Sequence, residues 1–171
     1  MTIERLWAGW RTEYVSAAGP SDDGCVFCRI LDSGEPDAVT KVVWRGDGVV
    51  AILNAYPYTS GHLMVMPTRH VGDIEALSSA EGAEVWKGVT AATAALKRAY
   101  SPDGINVGAN LGRAAGAGVP GHFHVHLLPR WVGDTNFMTS VAEVRVMPET
   151  LDATWHKLTQ AWGDPAAASA E

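Results

Sequence analysis

The chain has 171 residues, of which 47% are hydrophobic and 19% are charged, and its formal net charge at pH 7 is -6. This length predicts one domain that buries about two-thirds of its unfolded surface, and the composition is typical of a globular protein rather than a disordered chain. The negative charge argues against a sequence-independent nucleic-acid binder, because such a protein needs a basic surface to release counterions from phosphates.

The sequence also bears on where the protein is located. No apolar run approaches the roughly 20 residues that are needed to span a bilayer. The N-terminus shows no basic segment followed by an apolar stretch and a cleavage site. We therefore expect a cytoplasmic protein.

Residues 1–40 are predicted to form an N-terminal arm that carries a Cys-x-x-Cys motif. Residues 1–20 mix aromatic and charged side chains, which favours an arm that packs on the domain or on a partner subunit. A turn then delivers Cys25 and Cys28 to the start of a short helix that runs to about Leu31. Two cysteines at this spacing in a reducing compartment indicate metal binding or redox chemistry rather than a structural disulfide.

Residues 41–162 are predicted to form the main domain, and strands come first in it. Val42–Trp44 and Val49–Leu53 flank a Gly-Asp-Gly turn, which indicates a hairpin. Pro57 breaks this run, and His62–Met66 is predicted as a third strand. Ile105–Ala109, which follows a Pro-Asp-Gly turn, is predicted as a fourth strand.

A long helix is predicted between the third and fourth strands. Ser78 and Glu81 form a capping-box pattern ahead of an alanine-rich segment that ends near Tyr100. A shorter helix is predicted over Pro148–Ala161, and residues 163–171 are predicted to be disordered. In the long helix one stripe of side chains recurs at three- and four-residue steps and is predicted to face a sheet, namely Ala83, Trp86, Val89, Thr93 and Leu96.

Three histidines lie between the glycine-rich segment at residues 116–118 and Trp131. His122, His124 and His126 recur at every second residue with apolar residues between them, which is the period of a strand and places three imidazoles on one face. The intervening Phe123, Val125 and Leu127 are then predicted to point into a core. Such a strand indicates a metal site or an array for acid-base and nucleophilic chemistry. The alternative is a strand whose polar face is histidine without a functional role.

The segment from His122 to Leu128 matches His-φ-His-φ-His-φ-φ, where φ is apolar, at every position. The chain therefore resembles the histidine triad family of nucleotide hydrolases and transferases. Flanking residues 6–14, 25–28 and 133–137 resemble a bacterial branch that is associated with diadenosine polyphosphates. Further likeness spans roughly residues 40–131 and lies in Leu53-Asn54, Gly61–Val65, Pro67–His70, Asn110–Gly112 and Gly116–Val119.

The resemblance implies a fold and an assembly. The fold is α+β, with an antiparallel sheet of about five strands, one long helix on one face, a shorter C-terminal helix, and the pocket on the other face. A homodimer is implied as well, for which Trp131 and the aromatic arm offer apolar contact surface.

The resemblance also implies catalytic roles. His124 is the nucleophile, which attacks phosphorus as a neutral imidazole and carries the nucleotidyl group as a phosphoramidate. In the family a backbone carbonyl of the same strand holds its tautomer. His126, one step along on the same face, is placed to donate to a phosphate oxygen, and His62 lines the same pocket. For His126 alone, a partly exposed strand histidine is the alternative.

Substrate contacts are implied in the same way. Asn54 bonds the ribose and Asn110 the phosphate, although an isolated asparagine is more often a turn cap. Many family members carry a hydroxyl in the following loop that protonates the leaving group. This chain has none there, so we expect a good leaving group such as a nucleoside polyphosphate. The loop N–H groups form a concave anion site, and its residues are Gly116, Ala117, Gly118 and Val119.

Four residues provide a tetrahedral ligand set for structural Zn²⁺, namely Cys25, Cys28, His70 and His122. Members of the family that contain zinc use corresponding positions. The alternative is that the cysteines are small buried hydrophobic residues and that His70 lies on the surface.

These observations predict an enzyme that cleaves dinucleoside polyphosphates through a nucleotidyl-histidine intermediate, with hydrolysis slightly favoured over phosphorolysis. The alternatives are a phosphoramidate or acyl-adenylate hydrolase and a nucleotide-binding regulator without turnover. Arg113 and Arg130 lie near enough in sequence to meet distal phosphates, but a solvated arginine is the default interpretation.

Overall fold

The computed structural model describes residues 24–134 and 149–162, so the predicted aromatic arm, the predicted helix start at Pro148 and the predicted tail lie outside the described residues. The division of the chain into arm, domain and tail therefore stays a prediction. In the part of the chain that the structure describes, no helix is long and apolar enough to cross a membrane.

A five-stranded antiparallel sheet organises the described residues. Its strands are β1 (Val42–Arg45), β2 (Val49–Leu53), β3 (Leu63–Pro67), β4 (Gly104–Gly108) and β5 (Val125–Arg130). They lie in the order β1-β2-β3-β5-β4, so β5 pairs with β3 on one side and with β4 on the other. This pairing places the end of the histidine segment in the interior of the sheet rather than at its edge.

Helices cover both faces of this sheet. They are α1 (Val26–Asp32), α2 (Asp37–Thr40), α3 (Ser79–Tyr100) and α4 (Leu151–Trp162). The predicted hairpin, the third and fourth strands, the short helix after Cys25 and the long helix are all present, with ends shifted by one or two residues. The prediction of an α+β fold with a five-stranded antiparallel sheet is confirmed.

Local sequence chemistry explains where α3 begins. The Ser78 hydroxyl accepts a hydrogen bond from the Glu81 N–H at 3.2 Å, and the Glu81 carboxylate accepts one from the Ser78 N–H at 2.8 Å. This is the capping box that the sequence predicts, and it pairs two donors that the first turn would otherwise leave unbonded. The Arg69 guanidinium beside Glu81 also lowers the pKa of that carboxyl to about 2.

The face of α3 that packs on the sheet matches the predicted stripe only in part, because Val89 and Leu96 are buried in the core as predicted. Ala83 is exposed and Trp86 is 62% exposed, whereas the residues that face the sheet include Val85, Gly88 and Ala92. The physical reason is close approach, since a Cβ atom at Gly88 would lie 2.9 Å from Cγ1 of Val65 in β3. Small residues therefore mark the contact, and the bulky Trp86 lies on the solvent side.

The two faces of the sheet bury two apolar clusters. The larger one lies beneath α3 and α4 and includes Phe123, Val125 and Leu127, as predicted. The smaller one lies on the opposite face beneath α1, and its buried members are Phe27, Val42, Val50, Ile52, Met64 and Met66. The histidine face of β5 belongs to this second side.

Two glycines of α3 provide a matched test of the close approach. Gly88→Ala should lower the free energy of unfolding by about 1–3 kcal/mol, because the new methyl group overlaps the stiff side chain of buried Val65. Gly82→Ala should instead raise it by up to about 1 kcal/mol, since a Cβ there meets nothing within 4 Å and alanine favours a helix. Chemical denaturation measures both, and equal effects of the two substitutions would contradict the proposed packing.

Candidate active site

The three histidines of the triad are buried where β5 begins. His122 and His124 precede the strand, which starts at Val125, and His126 lies within it. The rings of His124 and His126 contact each other with centroids 4.8 Å apart. The prediction of a strand that carries all three histidines is therefore right only for His126, whereas the contact between the His124 and His126 rings agrees with the predicted shared face.

The tautomer of His124 follows from one hydrogen bond. Its Nδ1 lies 2.7 Å from the carbonyl oxygen of His122. A carbonyl only accepts, so Nδ1 carries the proton and Nε2 of the neutral ring carries a lone pair. Burial lowers the pKa of His124, while the hydrogen bond to the carbonyl partly opposes that shift. The ring is therefore held as a neutral imidazole whose Nε2 can act as a nucleophile.

A chain of hydrogen bonds sets the tautomer of His126. The backbone N–H of Tyr58 donates to Nδ1 of His62 at 3.1 Å, so the neutral His62 ring carries its proton on Nε2. That Nε2 lies 2.9 Å from Nδ1 of His126, which must accept. The proton of His126 therefore resides on Nε2. The Tyr58 N–H thus determines, through His62, that Nε2 of His126 is a hydrogen-bond donor.

Burial keeps this donor neutral. It lowers the pKa of His126 from 6.5 to about 4, and the neighbouring His124 adds a smaller effect in the same direction. The tyrosine ring of Tyr58 packs against His62 with centroids 4.7 Å apart and approaches His126 at 6.3 Å. At neutral pH the site can thus offer a lone pair on His124 and an N–H on His126 without a net charge.

The cysteines of the Cys-x-x-Cys motif face two histidines. Nδ1 of His122 lies 3.4 Å from Sγ of Cys25 and 3.7 Å from Sγ of Cys28, and Nδ1 of His70 lies 3.3 Å from Sγ of Cys28. All four ligand atoms lie within 4.8 Å of one another, so these residues are close enough to bind a metal ion. Nε2 of His122 donates to the carbonyl of Pro67 at 2.8 Å, which orients the ring with Nδ1 toward the thiols. Two thiols and two imidazoles that converge in this way fit a tetrahedral cation.

The structure adds detail to the predicted substrate contacts. Oδ1 of Asn54 accepts a hydrogen bond from the Tyr56 N–H at 2.9 Å. Asn54 therefore caps a turn, which was the alternative to a ribose contact. The Asn54 N–H donates to the carbonyl of His62 at 3.0 Å, so the end of β2 lies beside the His62 segment. Nδ2 of Asn110 lies 3.4 Å from the carbonyl of Gly116 and ties the ends of the loop together.

Two of the four N–H groups in the predicted anion loop are already engaged. The Gly116 N–H donates to the Arg113 carbonyl at 2.9 Å, and the Ala117 N–H donates to the Gly112 carbonyl at 3.2 Å. Among the described residues, the N–H groups of Gly118 and Val119 make no backbone hydrogen bond. Those two are therefore the loop groups that can meet a phosphate.

Arg130 is engaged by neighbouring side chains. Its guanidinium bonds both carboxylate oxygens of Asp134, at 2.6 and 2.8 Å, and Oδ1 of Asn106 at 2.9 Å. This pairing also raises the pKa of Arg130. Arg130 therefore links the end of β5 to its own following turn and to β4.

The comparison with protein families identifies this arrangement. A model of the HIT domain matches residues 35–132, which is more than half of the chain. The chain belongs to the HIT family. The resemblance that the histidine motif carries is thereby confirmed.

Similar proteins agree with this assignment. An AP-4-A phosphorylase from Mycobacterium tuberculosis is 38% identical over 170 residues, which cover 94% of this chain and 85% of that protein. A zinc-bound histidine triad family protein from Mycobacterium smegmatis superposes with a TM-score of 0.69 at 26% identity, covering 85% of this chain and 98% of the other. A hypothetical histidine triad nucleotide-binding protein from Sulfolobus tokodaii gives a TM-score of 0.66 at 28% identity, covering 81% and 91%. The prediction of an enzyme agrees with the enzyme named among these relatives.

Two residues of this HIT domain site were not predicted. Tyr58 contributes the N–H that orients His62, and the ring of Phe27 contacts both His122 and His124. Phe27 stands between the two cysteines, and this position is the one signal in the sequence that points to it. Tyr58 has no such signal, because a backbone donor does not depend on residue type.

The lowered pKa of His126 makes stability depend on pH. The unfolded state binds a proton near pH 6.5 and the folded state only near pH 4, so the free energy of unfolding should fall as the pH is lowered from about 6.5 to about 4. His126→Gln should reduce that slope by up to about 1.4 kcal/mol per pH unit. Denaturation at a series of pH values measures the slope, with His156→Gln, an exposed site outside the triad, as the control. An unchanged slope in His126→Gln would contradict the neutral buried state.

Proposed function

We propose that this HIT protein cleaves dinucleoside polyphosphates through a nucleotidyl intermediate on His124. The observation that carries the proposal is the 2.7 Å hydrogen bond from Nδ1 of His124 to the His122 carbonyl, because it leaves the lone pair on Nε2. The AP-4-A phosphorylase among the relatives supports the substrate class. Cleavage of diadenosine tetraphosphate is the reaction to test first.

The first step is attack of Nε2 of His124 on the α-phosphorus. A phosphorus–nitrogen bond forms, the phosphorus–oxygen bond to the polyphosphate breaks, and ATP leaves with the electron pair. ATP is a good leaving group, so this step does not need the loop hydroxyl that Ala117 and Gly118 lack. The leaving-group chemistry is the reason to favour a polyphosphate over a phosphoramidate with an amine leaving group.

His126 stabilises the phosphoryl group during this step. Its Nε2–H, fixed by the chain through His62 to the Tyr58 N–H, donates to a non-bridging oxygen where negative charge develops. The donor is set before the substrate arrives, so no reorganisation accompanies the reaction. His62 thus acts through His126, and its role is positioning rather than direct contact.

The loop and the two asparagines hold the rest of the substrate. The N–H groups of Gly118 and Val119 donate to phosphate oxygens. The oxygen of Asn54 is committed to its turn, so its Nδ2 group donates to a ribose oxygen. Asn110 ties the loop to the end of β4 and donates to the phosphate from that position, whereas Gly116 and Ala117 shape the loop through their internal bonds.

We favour phosphate over water as the acceptor in the second step, which reverses the slight preference drawn from the sequence. Phosphate attacks the adenylyl phosphorus, the phosphorus–nitrogen bond breaks, and ADP forms while His124 is regenerated. The name of the Mycobacterium tuberculosis relative supports this choice. The loop carries only small side chains at Gly116, Ala117 and Gly118, so we expect a second anion to fit beside the intermediate.

We further propose that the cluster of Cys25, Cys28, His70 and His122 binds Zn²⁺. The ligand set has the softness and number that structural zinc requires, and the zinc-bound protein from Mycobacterium smegmatis supports it. A bound ion supplies a structural link between α1 and the histidine segment.

The homodimer also remains a proposal. β4 is an outer strand of the sheet, and Val107 within it is 44% exposed. Val132, which follows β5 on the same side, is 92% exposed. An exposed edge strand with apolar neighbours can pair with a second copy of this chain.

Incubation with diadenosine tetraphosphate tests the reaction. With phosphate present, the products should be ADP and ATP, and the rate should saturate in phosphate because phosphate binds before it attacks. His124→Ala should lower turnover by at least about 10³-fold while nucleotide affinity changes by less than about tenfold, since only the attacking nitrogen is lost. Chromatography of the products and calorimetric binding measure the two effects.

The other outcomes are equally informative. Formation of AMP and ATP at a rate that does not depend on phosphate would make the protein a hydrolase. Binding without turnover would identify a nucleotide-binding regulator. Substantial activity in His124→Ala would exclude the nucleophile.

Metal content tests the zinc proposal. Protein purified with reduced thiols and without chelators should contain about one zinc per chain, and Cys28→Ser should retain well under half of it because one of four ligands loses its thiolate. His156→Ala, at an exposed histidine outside the cluster, is the matched control and should keep the metal. Elemental analysis measures the zinc content of each protein, and wild-type protein without zinc would contradict the zinc proposal.

A further inference from the structure

Phe27 connects the cysteine segment to the triad. It lies between Cys25 and Cys28 in the first turn of α1 and is buried. Its ring contacts His122 at a centroid distance of 5.5 Å and an interplanar angle of 85°, and His124 at 5.2 Å and 67°. One aromatic side chain therefore packs edge-on against a ligand of the metal cluster and against the proposed nucleophile.

The same two histidines are joined by the backbone. The carbonyl of His122 accepts the Nδ1–H of His124, while the ring of His122 is held between the thiols and the Pro67 carbonyl. Two routes of contact thus connect the cysteine segment to His124. In one, the Cys25 thiol contacts His122, whose carbonyl bonds His124. In the other, the ring of Phe27 packs directly against His124.

We propose that Phe27 is a positioning residue for His124, which couples the order of the Cys25–Cys28 segment to the orientation of the nucleophile. The proposal rests on the proposed role of His124. The hydrogen bond selects the Nδ1–H tautomer of His124 only while the ring stays in line with the His122 carbonyl, and the packing of Phe27 and His126 holds it there. Without that packing the ring tilts, the hydrogen bond weakens, and the other tautomer becomes populated. A displacement of Nε2 on the order of 1 Å costs roughly 100-fold in rate, so a tilt that moves it by about half that distance should cost roughly tenfold.

A purely structural role for Phe27 makes a different prediction. Phe27 also belongs to the apolar cluster beneath α1, where Ile30, one turn further along the helix, packs as well. If Phe27 only filled space there, its loss would lower stability and leave the tautomer of His124 unchanged. Ile30→Val is therefore the matched control, since it removes apolar contact from the same cluster.

The experiment uses the full chain loaded with zinc and compares Phe27→Leu, Phe27→Tyr and Ile30→Val. NMR of the histidine ring nitrogens reports the tautomer of His124, elemental analysis reports the metal, and steady-state kinetics with diadenosine tetraphosphate report kcat and KM. Phe27→Leu should keep the metal, give averaged nitrogen signals for His124, and lower kcat about tenfold with KM changed by less than about threefold. Phe27→Tyr, which keeps the ring, should restore the wild-type tautomer and rate, and Ile30→Val should match wild type in both.

Chelation of the metal in the wild-type protein should produce the same averaged signals for His124, because both routes start at the cysteine segment. A single Nδ1–H tautomer of His124 in Phe27→Leu would overturn the proposal, as would equal effects in Ile30→Val. If Phe27→Leu does not fold, Phe27→Met, which fills the site without a ring, replaces it in the same measurements. The NMR result decides the role of Phe27 even if no dinucleotide is turned over, whereas turnover alone decides the proposed function.

Discussion

The hydrogen bond from Nδ1 of His124 to the carbonyl of His122 is the contact on which the site depends. It joins residues two positions apart, so the local backbone itself provides the acceptor. A neutral imidazole has one N–H, and using it here leaves the other nitrogen free of a proton. Every other feature of the site either keeps this ring neutral, holds the carbonyl in place, or prepares a donor beside it. Burial lowers the pKa values of His122, His124 and His126 in the same direction, so the three adjacent rings do not repel one another at neutral pH.

Backbone groups fix the proton positions along the whole array. At one end the carbonyl of Pro67 accepts from His122, and at the other end the N–H of Tyr58 donates to His62. The resulting protons lie on Nδ1 of His124 and on Nε2 of His126. Neighbouring rings thereby present opposite groups, a lone pair and an N–H, which attack on phosphorus and stabilisation of its oxygens respectively require. Imidazoles alone could not impose this pattern, because each one can adopt either tautomer until a group of fixed polarity, here a backbone carbonyl or N–H, selects one.

Local chemistry made much of this predictable from the sequence. The capping box at Ser78 and the Gly-Asp-Gly hairpin depend on residues close in the chain, and both were confirmed, as was the shared face of His124 and His126. The packing face of α3 was predicted only in part: Val89 and Leu96 are buried as expected, but close approach at Gly88 turns Trp86 outward. The contacts of Phe27 and the internal bonds of the loop at Gly116 depend on segments distant in sequence or on backbone geometry, which no side-chain pattern records.

The two faces of the sheet are closed by different physical means. On one face α3 has 22 residues and a capping box, and it packs together with α4 over a large apolar cluster. On the histidine face α1 has seven residues, no side-chain cap at Cys25 and no acidic residue in its first turn, so it is too short to be stable by itself. A helix this short needs an anchor from outside itself. The cluster of Cys25, Cys28, His70 and His122 lies where that anchor is required, because a cation bound there ties the first turn of α1 to the segment that carries the triad. Under the proposed roles, a cation at this cluster would hold the second face through its ligands rather than through helix length, which leaves α1 short beside His124.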